Sequence, residues 1–248
     1  PSPQAIWPPD PGAPWGEARA AFHRGRGGDG DWRLARPHPP EGWIARFAGA
    51  AFEIRLTGFG NVGLFPEHAV HFSWIAERLA GRERPAVLNL FAYTGAASIA
   101  CALAGARVTH VDAARSVNGW ARANAEKSGV PAGAIRYLAD DARKLLKREQ
   151  RRGRRYDGVI LDPPSFGRGP KGEVWKLEEM LPELVDDAAA LLGDRAPFFV
   201  LTAHSPGITP SVLRALLGPH GGEIDSGEML LAGGGPPLPA GVFARLAR

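Results

Sequence analysis

Asp162-Pro163-Pro164, with the ring of Phe166 two residues further on, is the set of residues best suited to chemistry in this 248-residue chain. The preceding Gly158-Val-Ile-Leu161 is short and apolar, the pattern of a buried strand. Two prolines fix φ and offer no N–H, so a sheet ladder stops there and leaves a stiff turn carrying one carboxylate and one ring. In an open α/β sheet the C-terminal ends of the strands are where ligands bind. An acid, backbone carbonyls and a flat ring on a rigid turn suit a planar, amino-bearing group such as a nucleobase. A solvated acid in a Pro-terminated turn has the same sequence, so the neighbouring strand ends must decide.

Three of them carry matching chemistry. Asn89-Leu-Phe-Ala-Tyr-Thr-Gly95 passes from strand to helix. Gly95 permits close backbone approach, and the N–H groups of the next helix can hold a carboxylate or phosphate. This loop is not the Gly-x-Gly-x-x-Gly dinucleotide fingerprint, which weakens NAD and FAD. Asp112 closes an apolar strand, where an acid accepts both hydroxyls of a ribose. Asp140-Asp141-Ala142 closes another, where a carboxylate accepts a hydrogen bond from an adenine amino group. A helix N-cap at Asp140 or Asp141 and a turn acid at Asp112 are the plain alternatives. Their succession, with Asp162 at the next strand end, argues for one site.

The elements behind these ends follow from periodicity. Short apolar runs at residues 86–91, 107–111, 134–138, 158–161 and 197–202 alternate with helical stretches at 96–103, 116–127, 142–149 and 177–192. That alternation is the mark of βαβ units and a parallel sheet. Two last strands, near 227–231 and 242–246, bring the sheet to seven. The expected fold is α/β, a mostly parallel, Rossmann-like sheet over residues 81–248. Residues 1–80 read as a small antiparallel β lobe with a Pro- and Gly-rich leader, strands within 41–56, a Gly-rich aromatic loop at 58–66 and a helix at 69–79.

Composition narrows the class. Apolar residues make up 44% of the chain, ample for a core, and no apolar run approaches the ~20 residues that span a bilayer. No signal peptide is visible, although the chain begins at Pro1. The single cysteine, Cys101, excludes an intramolecular disulfide and a cysteine-built zinc site, and no metal is expected. The expected location is cytoplasmic. Residues 143–155 hold eight Lys or Arg against Glu149 alone, a candidate phosphate-binding patch or a solvated helix end.

Taken together, these motifs resemble a class I S-adenosylmethionine-dependent methyltransferase, and more narrowly the bacterial 23S ribosomal RNA methyltransferases whose cofactor loop reads Asn-x-Phe-x-Tyr-Thr-Gly. The resemblance spans roughly residues 58–248 and includes Asn89 to Gly95, Asp112, Arg122-Ala-Asn124, Asp140-Asp141 and Asp162-Pro-Pro-Ser-Phe166. It implies S-adenosyl-L-methionine as cofactor. Asn89, Phe91, Tyr93, Thr94 and Gly95 would wrap its methionine part, with Phe65 approaching from the 58–67 loop. Asp112 and Ala113 would hold the ribose, and Asp141, with Asp140, the adenine. Asp162, Pro163, Pro164 and Phe166 would face the reactive methyl and the target base. Asn124 is expected to be structural, tying the cofactor loop to its helix. The implied partner is RNA, of ribosomal kind, with no membrane, and a lobe with exposed strand edges would suit a homodimer.

The chain departs from that family in two places. No PUA-type RNA-binding module is evident in the leader. Relatives that methylate cytosine C5 carry a catalytic cysteine after the fifth strand, where this chain has Leu201-Thr-Ala-His204-Ser-Pro-Gly207. C5 is a weak nucleophile and needs a thiolate to add to the ring, whereas a nitrogen needs only alignment with the sulfonium methyl. Cys101 falls mid-helix, a core position. A ring or exocyclic nitrogen is therefore the expected target, with Asp162 accepting an N–H and Phe166 stacking. His204 reads as a structural donor or an assisting base. The 143–155 run should lie at the far edge of the sheet, ~15–20 Å from the site. Arg168, Lys171 and Lys176, with Trp175, are better placed to clamp a substrate backbone. A protein-glutamine or DNA amino methyltransferase, and a non-catalytic RNA-binding factor, are the competing readings.

Overall fold

The computed structural model describes residues 6–8, 10–25, 30–35, 42–168, 174–233 and 235–248. Two antiparallel hairpins open the chain, β1 (Ala20–Arg24) with β2 (Gly30–Leu34), and β3 (Ile44–Phe47) with β4 (Ala50–Glu53). Helix α1 (Ala69–Leu79) follows a single turn over Pro66–His68. The rest alternates: β5 (Ala86–Leu90), α2 (Ala96–Leu103), β6 (Arg107–Asp112), α3 (Arg115–Lys127), β7 (Ile135–Ala139), α4 (Ala142–Arg151) and β8 (Gly158–Leu161). A short hairpin, β9 (Phe166–Arg168) with β10 (Val174–Lys176), precedes α5 (Leu177–Ala189), β11 (Phe198–Ala203) and α6 (Pro210–Leu217). Strands β12 (Glu223–Leu231) and β13 (Leu238–Ala247) end the chain.

Seven strands form one sheet in the order β12-β13-β11-β8-β5-β6-β7. β11, β8, β5, β6 and β7 run parallel, and β13 pairs antiparallel with both β11 and β12. The Rossmann-like seven-stranded expectation therefore holds, as do the N-terminal strand pairs. Strand alternation divides the core between two faces. Phe198 and Val200 of β11 pack with Ile75, Leu79 and Ile99 of α1 and α2, while Phe199 and Leu201 pack with Leu145, Leu184 and Leu213 of α4, α5 and α6. The central strands β5, β8 and β11 are buried on both faces, so their C-terminal ends are fixed against the helices that follow.

The first lobe docks on this layer through β4. The backbone N–H of Ala51 donates to Ser128 Oγ at 3.0 Å and that of Glu53 to Asn124 Oδ1 at 2.9 Å. The loop after β4 is drawn onto α3 at Gly63, whose φ is +95°. A Cβ there would meet the Trp120 ring at 2.0 Å, so only glycine fits.

Candidate functional site

The segment after β5 is the most constrained stretch of the chain. Phe91 and Tyr93 both sit at positive φ, 56° and 47°, a region that costs a non-glycine residue about 1–3 kcal/mol. Hydrogen bonds hold it there. Tyr93 N–H donates to Asp112 Oδ2 at 3.0 Å, Thr94 Oγ1 donates to the Gly63 carbonyl at 2.6 Å, and Asn124 Nδ2 donates to the Thr94 carbonyl at 3.0 Å. Asn124 is thus the structural tie expected of it. Gly95, at φ +90°, precedes α2, and a Cβ there would meet Ala121 Cβ at 3.2 Å. Behind the loop, Asn89 Nδ2 donates to Ser98 Oγ at 2.9 Å, and Ser98 Oγ lies 3.0 Å from His110 Nδ1. His110 is fully buried; burial, against the pull of Asn118 and the Tyr93 backbone, lowers its pKa to about 4, so the ring is neutral.

Strained backbone wrapped around a depression is the signature of a preorganised ligand clamp. The cavity is lined by Phe65, Asn89, Phe91, Tyr93, Thr94, Gly95 and Asp162, all expected from sequence. It also takes in His68, Ala92, Ala96, Ala97 and Ile160, which the sequence reading missed. The Phe65 and Tyr93 rings stand 5.1 Å apart across its mouth.

Asp112, Ala113, Asp140 and Asp141 lie beyond this cavity, along the ends of β6 and β7. Both Asp112 oxygens already accept backbone N–H groups, Oδ2 from Tyr93 and Oδ1 from Ala114 at 2.9 Å. Burial raises the Asp112 pKa, and those two bonds oppose it. Asp141 caps α4, accepting from Lys144 N–H at 2.9 Å, and Asp140 pairs with Arg148 at 2.5 Å. The plain alternatives weighed for these acids are therefore realised.

The other end of the cavity is built differently. Asp162, just past β8, is about a quarter exposed and is surrounded by three side chains from other segments. Thr202 Oγ1 donates to Oδ1 at 2.5 Å, His204 Nε2 lies 3.3 Å from Oδ1, and His68 Nε2 lies 3.4 Å from Oδ2. Burial would raise its pKa, but the His68 charge, the His204 contact and the Thr202 hydroxyl hold the carboxyl well below the usual range. His204 Nδ1 donates to the Ala240 carbonyl at 2.8 Å, a close approach that Gly241 permits, since a Cβ there would meet Nδ1 at 2.8 Å. Burial lowers the His204 pKa, but Asp162, the Ala240 carbonyl and Glu67 outweigh it and raise it to about 9. With both ring nitrogens facing acceptors, His204 is a cation at neutral pH and is not the free base that a proton abstraction requires.

Pro163 is buried and Pro164 exposed in the turn. The side chains of Phe166, Arg168 and Trp175, and the whole of Lys171, lie outside the described residues; Lys176 is exposed and pairs with Glu179 at 2.9 Å. Cys101 is fully buried in the α1–α2 core, and burial pushes its thiol up to about 12. Half of the 143–155 cations are engaged: Arg143 and Lys147 with Glu183, Lys147 also with Asp187, Arg148 with Asp140 and Arg152 with Glu149. Much of that run braces α4 against α5, which weakens it as a phosphate patch.

A clamp after the first parallel strand, acids after the next two and Asp-Pro-Pro after the fourth define a cofactor-dependent group-transfer enzyme of the class I methyltransferase type. The family comparison agrees: residues 9–197 match the S-adenosylmethionine-dependent methyltransferase model, and the chain belongs to that family, with S-adenosylmethionine as its cofactor. It is similar to a SAM-dependent methyltransferase from Agrobacterium tumefaciens, 39% identical over 94% of this chain and 78% of that one, with a TM-score of 0.87. It is 31% identical over 146 residues to the ribosomal RNA large subunit methyltransferase K/L of Shewanella frigidimarina, a match covering 58% of this chain and 20% of that protein. The chain thus spans about a fifth of the length of that curated relative. The magnesium protoporphyrin IX methyltransferase of Synechocystis, solved with bound SAM, shares the fold at 19% identity and a TM-score of 0.52, over 78% of this chain and 88% of that one. No described helix is long and apolar enough to cross a membrane.

Proposed function

We propose that this protein transfers the methyl group of S-adenosylmethionine to a ring or exocyclic nitrogen of a nucleobase in ribosomal RNA. The observation that carries the choice of nitrogen is the carboxylate of Asp162 at the cavity mouth, with the only thiol locked in the core. A C5 transfer has no nucleophile here, and Asp162 can accept an amino N–H while the methyl is delivered in line. The choice of RNA is supported by the large-subunit methyltransferase relatives.

In this reading Phe65, Asn89, Phe91, Tyr93, Thr94 and Gly95 hold the methionine end, and Asp112 with Ala113 holds the ribose. The outer face of Asp141, with Asp140, reads the adenine. Asp162, Pro163, Pro164 and Phe166 present the target base. Residues 1–80 act as the substrate-side lobe and 81–248 as the cofactor domain, and the work is done in the cytoplasm. The test is transfer of labelled methyl to ribosomal RNA from a strain lacking the protein, followed by nucleoside analysis. A methylated purine nitrogen or cytosine amino group is expected. Label at cytosine C5 would overturn the mechanism, and transfer only to protein or DNA would overturn the substrate.

A further inference from the structure

Two segments far apart in sequence bring three metal-ligand groups to the acceptor end of the cavity, Glu67 and His68 before α1 and His204 after β11, with Asp162 after β8 facing both imidazoles. Ligand atoms of Glu67, His68 and His204 all lie within 4.8 Å of one another. One of these groups is buried with a ring nitrogen that lacks a hydrogen-bond partner. His68 is 9% exposed, and its Nε2 has no hydrogen-bond partner among the described residues. Glu67 is 8% exposed and acts electrostatically on His204. A buried imidazole nitrogen left this way is costly unless something binds it.

The distances have the same sense. Charge-assisted N–H···O bonds close to about 2.7–2.9 Å. Both histidines stand off Asp162 at 3.3 and 3.4 Å, with Nε2 aimed at it. The outer contacts also match a metal centre. His204 donates its other nitrogen to the Ala240 carbonyl, and Thr202 holds Asp162, as outer partners orient metal ligands.

We propose that Glu67, His68 and His204 bind a divalent transition-metal ion at the acceptor end of the cofactor cavity, with the Asp162 carboxylate beside them. Two carboxylates and two neutral imidazoles leave two negative charges, which such an ion cancels. Mixed nitrogen and oxygen ligands suit zinc, iron(II) or manganese better than magnesium or calcium. The metal takes the place of the proton otherwise held on His204. Its open positions face the cavity mouth and would accept an oxygen or nitrogen of the bound nucleotide, anchoring the target beside the sulfonium.

The test needs no RNA, so its outcome and that of the RNA-transfer experiment are independent. The full chain, stripped with a chelator, is titrated with Co²⁺ and then with Zn²⁺ in competition. One equivalent of Co²⁺ should give visible d–d absorption that Zn²⁺ removes. His68→Ala and His204→Ala should each weaken Co²⁺ binding by about 100-fold or more, with circular dichroism unchanged. If either fails to fold, Glu67→Gln serves, since it keeps shape and removes only a ligand charge. Absence of stoichiometric Co²⁺ binding by the unmodified protein, or undiminished binding in the variants that fold, overturns the proposal.

Discussion

The two ends of the cavity use the same residue types in opposite ways. At the β5–β6 end, Asp112 is pushed up by burial and His110 is neutral, at about 4. At the β8–β11 end, Asp162 is held far down and His204 is a cation, at about 9. Burial acts on all four in the direction that disfavours charge. The difference lies in what opposes it: backbone N–H groups and neutral side chains at the first end, ionised partners at the second. The first end is a clamp that keeps a loop in shape, and the second is a charged centre.

If that division is right, Asp162→Asn should lower methyl transfer by about 100-fold or more while changing S-adenosylmethionine affinity by less than about fivefold. Calorimetry beside single-turnover transfer would separate the two, and equal losses in both would erase the distinction. His110 gives a second contrast, in stability. Its folded pKa of about 4 lies below the ordinary 6.5, so the unfolded chain binds the proton first as pH falls. Stability from this group is whole above pH 6.5 and drains away between 6.5 and 4, about 3 kcal/mol in all. Urea unfolding at pH 7 and pH 5 should therefore show a fall that is about 2 kcal/mol smaller in His110→Gln. An unaltered slope would mean that the ring is charged in the core.

Asp112→Ala frees the Tyr93 and Ala114 N–H groups and should weaken cofactor binding by roughly 100-fold, with transfer at saturating cofactor nearly restored. Unchanged affinity would remove Asp112 from the cofactor site. The smallest effect is expected at Cys101→Ser, with transfer kept within about twofold and stability lowered by about 1–2 kcal/mol for an unmatched hydroxyl. Loss of transfer in a folded Cys101→Ser protein would restore a thiol mechanism.

What was legible in the sequence is what lies consecutively along it. Each parallel strand, the loop at 89–95 and the acids at 112, 140–141 and 162 are read in order because a parallel sheet sets its strand ends side by side. The acceptor end draws instead on residues 67, 68, 162 and 204, whose meeting depends on β11 lying beside β8 and on α1 starting above both. Glu67-His68 had one signal, an acid and an imidazole directly after Phe65-Pro66 in an aromatic loop. The left-handed backbone of Phe91 and Tyr93 had none, since aromatic residues favour extended chain. Helix α6 was missed although Thr209 caps it and Pro210 opens it, because eight residues carry little periodicity. The β9–β10 hairpin was hidden by the Gly-rich connection between its strands.

The left-handed pair at Phe91 and Tyr93 also limits how this enzyme can diverge. A β-branched residue at either position would put a second substituent where the backbone leaves no room, so valine, isoleucine and threonine are barred although polarity and size would pass. Glycine would fit the torsions but surrender the rings that line the cavity. Drift there is confined to residues that are flat or small-headed and still tolerate positive φ, a narrower alphabet than the cofactor itself would impose.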